Sequence, residues 1–196
     1  MSSYYIKVVK KDYLKLISNS KYWIILFWFK PKLSEYIFNG GGVAIGDFNN
    51  DDKPDVFFTG NQVTNKLYIN EGNLKFKDVS EEAAIEAEQS WNTGVSLVDI
   101  NNDNLLDIYV CSAMLPTEKE KANLLFVNQG TNSDGIPKFK EMASDYGIAG
   151  TGNSMGATFF DYDNDGDSDL FLSGVSTNQL YQNQGDGTFI DVTQEA

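Results

Sequence analysis

The 196-residue sequence predicts an all-β fold of the β-propeller type, with about three four-stranded antiparallel blades. One observation is an acidic nine-residue stretch that occurs three times, at 47–55, 99–107 and 161–169. A second is that apolar segments frame each copy, beginning with GVAIG, GVSLV or GATFF and resuming with VFFTG, IYVCS or LFLSG. A third is that each copy continues into two alternating segments around an Asn/Gly turn, which is typical of a hairpin. Four short strands per repeat are the content of one propeller blade.

The predicted blades cover approximately residues 39–80, 91–144 and 154–194, and connectors such as EEAAIEAEQS and DYGIAGTGN separate them. The acidic stretches begin 52 and then 62 residues apart, because the second repeat carries insertions around LPTEKEKAN and TNSDGIPK. A β-sandwich of unrelated hairpins would also explain the strands. It would not explain why the same acidic loop recurs at the same place in each repeat.

The acidic stretches agree at their first, third, fifth and ninth positions. Alternate side chains of such a loop can converge on one point, and Ca²⁺ takes six to eight oxygen ligands at about 2.3–2.6 Å. A cation would also offset carboxylate repulsion, which is about 1 kcal/mol at 4 Å even in water. We therefore predict up to three Ca²⁺ ions, one per loop. The predicted ligands are Asp47, Asn49, Asp51 and Asp55; Asp99, Asn101, Asp103 and Asp107; and Asp161, Asp163, Asp165 and Asp169.

The other loop positions vary, and position seven is predicted to offer only its backbone carbonyl. Position seven is occupied by Lys53, Leu105 and Asp167, and position six by Asp52, Asn104 and Gly166, residues that tolerate a left-handed backbone. An EF-hand is excluded because position twelve, a bidentate Glu in that motif, is Phe58, Val110 or Leu172. Turn formation by Asp and Asn alone would not place the same pattern in three repeats.

The charge of the chain is asymmetric. Residues 1–38 carry a balance of +5, and the net charge of −13 therefore leaves −18 on residues 39–196. An acidic body of this size argues against nucleic acid as a partner. The chain contains no His and no Arg, which excludes His-based catalytic triads and imidazole zinc sites. Cys111, the sole cysteine, lies in an apolar strand segment and is predicted to be buried.

The first 38 residues form a basic, aromatic segment of uncertain status. Eight apolar or aromatic residues, Tyr22 to Phe29, lie between Lys21 and Lys30. This run is much shorter than the roughly 20 residues of a transmembrane helix, so no transmembrane span is expected. An export or anchoring signal, a strand of a partial blade, and a segment foreign to the fold all remain open.

The repeats resemble the FG-GAP or VCBS repeat family of integrin-α-like propellers. GVAIGDFNNDDKPDVFF, GVSLVDINNDNLLDIYV and GATFFDYDNDGDSDLFL carry the resemblance, which covers roughly residues 40–196. The trailing LYxNxG…F motif is most similar to the group of cartilage acidic protein and ASPIC/UnbV-associated bacterial proteins. The resemblance implies a calcium-binding propeller, usually of seven blades, of which this chain would be a fragment or a short version. Exposed blade faces would then favour self-association.

We expect an extracytoplasmic binding or adhesion module, not an enzyme, that recognises a protein or glycan partner. Loops of this kind in extracellular modules bind Ca²⁺ at about 10⁻⁴–10⁻³ M, which indicates an extracellular, cell-surface or periplasmic location, in a bacterium. The alternative is a non-catalytic part of a polysaccharide-processing enzyme, or a part that uses a pair of carboxylates for catalysis. Acidic residues outside the loops, for example Asp78, Glu81, Glu82, Asp145 and Asp191, show no spacing that singles out a catalytic pair.

Overall fold

The computed structural model describes residues 40–61, 63–87, 91–113, 122–175 and 177–195, and the predictions for residues 1–38 lie outside these ranges. Three four-stranded antiparallel sheets make up the described chain, which confirms the all-β, blade-like prediction. Blade 1 contains β1 (Val43–Gly46), β2 (Asp55–Phe58), β3 (Lys66–Gly72) and β4 (Lys75–Asp78); blade 2 contains β5 (Asn92–Val98), β6 (Asp107–Ser112), β7 (Leu124–Thr131) and β8 (Pro137–Glu141); blade 3 contains β9 (Ser154–Phe160), β10 (Asp169–Gly174), β11 (Gln179–Asn183) and β12 (Phe189–Asp191).

Blades 1 and 2 pack face to face. Side chains alternate between the two faces along each strand, so each sheet presents an apolar face to the other. In blade 1, the side chains of Phe57, Leu67 and Ile69 are buried on the face that we call the C-side face, since it is turned to the next blade in sequence. The opposing N-side face of blade 2 carries Val95, Leu97, Ile108, Val110 and Phe126 in the same apolar cluster. The registers Leu97↔Ile108 and Ile108↔Phe126 place these side chains on one face of blade 2.

Blades 2 and 3 repeat this arrangement. The C-side face of blade 2 contributes Tyr109, Leu125 and Val127, and the N-side face of blade 3 contributes Phe159 and Leu170. The rings of Tyr109 and Phe159 meet edge to face with centroids 5.7 Å apart. All six residues of β6 are buried, because both faces of the middle blade are covered. Cys111 is fully buried, as the sequence predicted.

The connectors between blades add to the cores. After blade 1 the chain forms a one-turn helix, α1 (Ser80–Ala83), and Ala83 and Ile85 are fully buried in the first cluster. After blade 2, Ala143 and Ile148 occupy the corresponding place in the second cluster. Within the described ranges, no helix is long and apolar enough to cross a membrane.

The first strands of successive blades approach each other closely. Gly42 N donates to Thr93 O at 2.8 Å, and the Thr93 hydroxyl donates to Ser154 O at 2.8 Å. A Cβ on Gly42 would lie 2.8 Å from Thr93 O, and a Cβ on Gly94 would lie 2.6 Å from Met155 O. The leading glycine of these repeats is therefore required by contact with the next blade.

Candidate metal centres

The acidic loops between the first two strands of each blade share one hydrogen-bonding pattern. The position-one carboxylate accepts the backbone N–H groups of positions five and six, and so folds the loop around itself. These bonds run from Asp51 and Asp52 to Asp47, from Asp103 and Asn104 to Asp99, and from Asp165 and Gly166 to Asp161, at 2.7 to 3.2 Å. The three loops are thus copies of one turn.

Two positions in each loop adopt a left-handed backbone. Position six has φ of 63°, 64° and 97° at Asp52, Asn104 and Gly166, as the sequence predicted. Position four has φ of 55°, 57° and 65° at Asn50, Asn102 and Asn164. The expectation that positions outside the ligand set vary freely is wrong for position four. Asn recurs there in all three copies, and Asn is among the non-Gly residues that tolerate this conformation.

The position-nine carboxylate is buried and anchored by two backbone N–H groups. Its Oδ2 accepts the N–H of position two, and its Oδ1 accepts the N–H of an asparagine in the third strand. For Asp107 these donors are Ile100 at 2.9 Å and Asn128 at 2.7 Å. Asp55 and Asp169 have equivalent pairs of donors, at 2.8 to 3.0 Å. Each carboxylate therefore ties its loop to the third strand of the blade.

Burial makes ionisation of some anchoring carboxylates costly. Desolvation raises the pKa of Asp107 to about 6, although hydrogen bonds from Ile100 and Asn128 oppose the shift. The pKa of Asp55 is also raised by burial. A cation in the loop would favour the ionised carboxylate, so the buried position suits a metal ligand.

The third-strand asparagine is a supporting residue that the sequence analysis assigned only to a turn. Its side-chain amide donates to the carbonyl of loop position eight, from Asn70 to Pro54 at 3.0 Å, and from Asn128 and Asn183 to Leu106 and Ser168, each at 3.3 Å. Asn128 also donates to Phe48 O of the preceding blade at 3.0 Å. The signal was present in the sequence as the L-[YF]-x-N-x-G pattern that all three repeats share.

The third loop brings its carboxylates closest together, although the Gln182 amide donates to Asp163 Oδ2 at 2.6 Å. Oxygen atoms of Asp161, Asp163 and Asp169 lie within 4.8 Å of one another, and this is the one such acidic trio in the described residues. Asp167 Oδ1 is buried and has no hydrogen-bond partner, and burial beside Asp165 and Asp169 raises the pKa of Asp167. A buried carboxylate oxygen without a donor suits a metal ion as its partner. Position seven was predicted to act through its carbonyl, and here its side chain is also suitably placed.

The first loop offers a similar oxygen but also a competing cation. Asn49 Oδ1, at position three, is buried without a hydrogen-bond partner. Lys53 Nζ, however, contacts Asp51 Oδ2 at 2.8 Å and lowers the pKa of Asp51. A metal ion that uses Asp51 must compete with this ammonium group.

The second loop contains a competing amide. Asn101 Nδ2 donates to Asp103 Oδ2 at 2.9 Å, which joins positions three and five. Because an amide donor is neutral, the second loop presents a weaker obstacle to a cation than the ammonium group of Lys53.

Two of the acidic residues outside the loops, Asp78 and Asp191, have structural partners. Asp78 pairs with Lys66 at 3.0 Å and accepts the backbone N–H of Ser80, and its pKa is lowered. Asp191 accepts the N–H of Thr193 at 2.9 Å, and its pKa is lowered as well. A carboxyl held in its ionised form is a poor general acid, so neither residue suits that role.

The segments that carry the acidic loops match a known protein family. A model of the FG-GAP-like repeat matches residues 47–110 and 161–196. The chain belongs to the FG-GAP-like repeat family. The two matched stretches contain all three acidic loops, so the family assignment rests on the same segments as the predicted metal centres.

The chain is also similar to curated proteins. It is 26% identical over 149 residues to cartilage acidic protein 1 of Xenopus tropicalis, covering 73% of this chain and 22% of that protein. The mouse and human proteins of the same name are each 28% identical over 138 residues, or 69% of this chain. The chain spans about a fifth of the length of these relatives.

Proposed function

We propose that this chain is a calcium-stabilised binding module that works outside the cytosol, in which the metal ions are structural. The observation that carries the proposal is the third loop, where three carboxylates converge and a fourth, Asp167, keeps a buried oxygen without a donor. The proposed ligands are the predicted positions one, three, five and nine of each loop, with the carbonyl of position seven. The third loop, which has an Asp at each of these five positions, is proposed to bind most tightly.

A structural metal ion raises the free energy of unfolding of the protein by an amount that can be measured. Ligand binding to the folded state alone adds about 1.4 kcal/mol per site at a tenfold excess over Kd. Three equivalent sites would then add about 4 kcal/mol, which corresponds to a rise in Tm of about 8–16 °C for a chain of this size. Mg²⁺ should give a smaller rise because it prefers strict octahedral geometry and retains its water ligands.

The test is a melting experiment on the full chain with EDTA, with Ca²⁺ from 10 µM to 10 mM, and with Mg²⁺. Asp163→Ala removes one member of the converging trio and should reduce the calcium-dependent part of the Tm. Asp145→Ala is the matched control, since this exposed aspartate lies in the connector after blade 2. Equal Tm values in EDTA and in 10 mM Ca²⁺ would reject the metal proposal.

The proposed partner is a protein or a glycan, recognised by surfaces outside the metal loops. The strongly acidic body disfavours polyanions such as nucleic acid, and free Ca²⁺ outside cells is high enough to fill sites of 10⁻⁴–10⁻³ M affinity. Retention of the calcium-loaded chain on a glycan array or on cell surfaces tests this role. Turnover of a glycan panel with no retention would favour the polysaccharide-processing alternative instead.

A further inference from the structure

Two surfaces hold most of the exposed apolar side chains. The N-side face of blade 1 exposes Val43, Ile45, Phe58 and Phe76, and the C-side face of blade 3, together with its loop, exposes Phe160, Tyr162, Phe171 and Ile190. These are eight of the eleven large hydrophobic side chains that are exposed in the described part of the chain. Concentrated apolar surface of this kind marks an interaction site.

The repeats themselves show what covers the N-side face. Val43, Ile45 and Phe58 occupy the repeat positions of Val95, Leu97 and Val110, which pack against the C-side face of blade 1. Phe76 has the repeat position of Phe139, which is 5% exposed and meets the Phe48 ring edge to face at 6.2 Å. Phe76 itself is 44% exposed. The N-side face of blade 1 is thus built to receive the C-side face of another blade of this type.

The C-side face of blade 3 carries apolar side chains at the positions that are buried under the next blade in blades 1 and 2. Phe171 occupies the repeat position of Phe57 and Tyr109, which are both fully buried under the next blade. Tyr162 occupies the position of Phe48 and Ile100, which are buried in the same way. The C-side face of blade 3 therefore repeats the apolar positions that contact a following blade.

Blade 3 also leaves room for the first strand of a following blade to approach closely. Gly42 and Gly94 leave no room for a Cβ because a carbonyl of the next blade lies there. At Gly156, the third leading glycine, the nearest atom to such a Cβ is the hydroxyl of Ser173 in the same blade, at 3.1 Å. The Ser96 hydroxyl donates to Ala157 O of the next blade, and Thr158 stands at the same repeat position as Ser96. Blade 3 thus keeps the polar groups that join one blade to the next.

A contact from a lysine to a backbone carbonyl supports the same arrangement. Lys138 Nζ donates to Glu82 O, which links the outer hairpin of blade 2 to the connector after blade 1. Lys75 has the repeat position of Lys138, and Glu195 has that of Glu82. Both Lys75 and Glu195 are exposed. If blade 1 of one chain followed blade 3 of another, the Lys75 ammonium group could donate to the backbone carbonyl of Glu195 in the same way.

We propose that two copies of this chain associate head to tail, with the C-side face of blade 3 in each copy packed on the N-side face of blade 1 in the other. The described residues of two chains supply six blades, within the range of four to eight found in closed propellers. A two-fold axis through the ring makes both contacts identical and covers all four end faces. This assembly does not depend on the proposed metals, because the contacts that define it lie in the sheets.

The first experiment measures the mass of the full chain in Ca²⁺ buffer by light scattering and sedimentation. A dimer of twice 21.8 kDa is expected. Ile45→Lys alters one face and Phe171→Lys the other, and each should weaken the dimer at least tenfold. Val63→Lys is the matched control, because Val63 is 65% exposed in the loop between β2 and β3, outside the sheet faces. Circular dichroism identifies any variant that fails to fold.

Mixing distinguishes a head-to-tail contact from any symmetric contact. An equimolar mixture of the Ile45→Lys and Phe171→Lys chains retains one unmodified interface and should form dimers that neither variant forms alone. A bis-maleimide cross-linker should likewise join Lys75→Cys to Glu195→Cys in a mixture, while Cys111 is buried and does not compete.

Three outcomes overturn the proposal. One is a wild-type chain that stays monomeric at 100 µM. Another is an Ile45→Lys chain that melts at lower temperature without a change in mass, because a segment of the same chain would then cover that face. The third is a species larger than a dimer, which would exclude ring closure. Loss of the calcium-dependent Tm shift would leave these masses unchanged, so the two proposals fail separately.

Discussion

Substitution of Gly94 by Ala tests the packing of the first strands. A Cβ at this position would lie 2.6 Å from Met155 O and 3.1 Å from Gly156 Cα, and both atoms belong to the backbone of blade 3. Because backbone atoms cannot rotate away, blades 2 and 3 must separate by several tenths of an ångström. Overpacking of this kind costs about 1–3 kcal/mol, which lowers Tm by about 2–12 °C in a chain of this length.

Gly156→Ala is the matched substitution at the same repeat position. Its added Cβ would meet only the hydroxyl of Ser173 at 3.1 Å, so the change should be neutral or should stabilise the monomer by up to about 1 kcal/mol through the unfolded chain. Both variants are melted in EDTA at low protein concentration, where dimers dissociate. Equal Tm values for the two variants would refute the argument that blade contact demands the glycine. At higher concentration, Gly156→Ala should weaken the proposed dimer.

Five further measurements test the loops and the core. Calcium binding at the second loop should weaken by about tenfold from pH 7 to pH 5, because a proton competes for Asp107, whose pKa is about 6; calorimetry at both pH values checks this. With EDTA, the raised folded pKa of Asp107 contributes stability that is fully present below the ordinary pKa of 3.8 and is lost as pH rises towards 6, so Asp107→Asn should remove this fall, and an unchanged pH dependence in that variant would contradict the assignment. Lys53→Leu should tighten calcium binding several-fold at the first loop, because it removes the ammonium group that holds Asp51, and an unchanged affinity would show that the pair does not compete. Asn128→Ala should cost about 1–3 kcal/mol by leaving buried carbonyls without a donor, and Asn70→Ala, whose amide contacts only its own blade, should cost less in the same melts. Cys111 should resist thiol reagents until the chain unfolds, since burial raises its pKa to about 12, and rapid labelling of the native chain would contradict its position in the core.

Much of the fold could be predicted from the sequence because its signals are local and repeated. The alternating segments, the Asn/Gly hairpin turns and the run IYVCS each indicate a strand within a few residues, and three copies fix their order. The acidic loops are equally local, because the spacing of their Asp and Asn residues defines the turn, while the role of these residues as metal ligands stays a prediction. Position four of the loop was not predicted although its Asn recurs. The requirement at Asn50 is a left-handed backbone and not a ligand oxygen.

Other features depend on residues far away in the sequence. The requirement for Gly94 comes from a carbonyl at Met155, and the second role of Asn128 comes from Phe48 O, 80 positions earlier. These contacts form only where two blades pack side by side, so no local sequence pattern predicts them. The inward side chain of Asp167 is of the same kind, since its burial depends on how the whole loop closes.

The complete burial of β6 sets an order of opening along the chain. Removing the middle sheet would break two apolar interfaces together, whereas a terminal sheet can detach at the expense of one. Hydrogen exchange should therefore be slowest at the amides of Ile108 to Cys111 and faster in β1 and β12. A lesion in the central repeat would unfold the molecule as a unit, while an equal lesion at either end would leave a partly folded remainder.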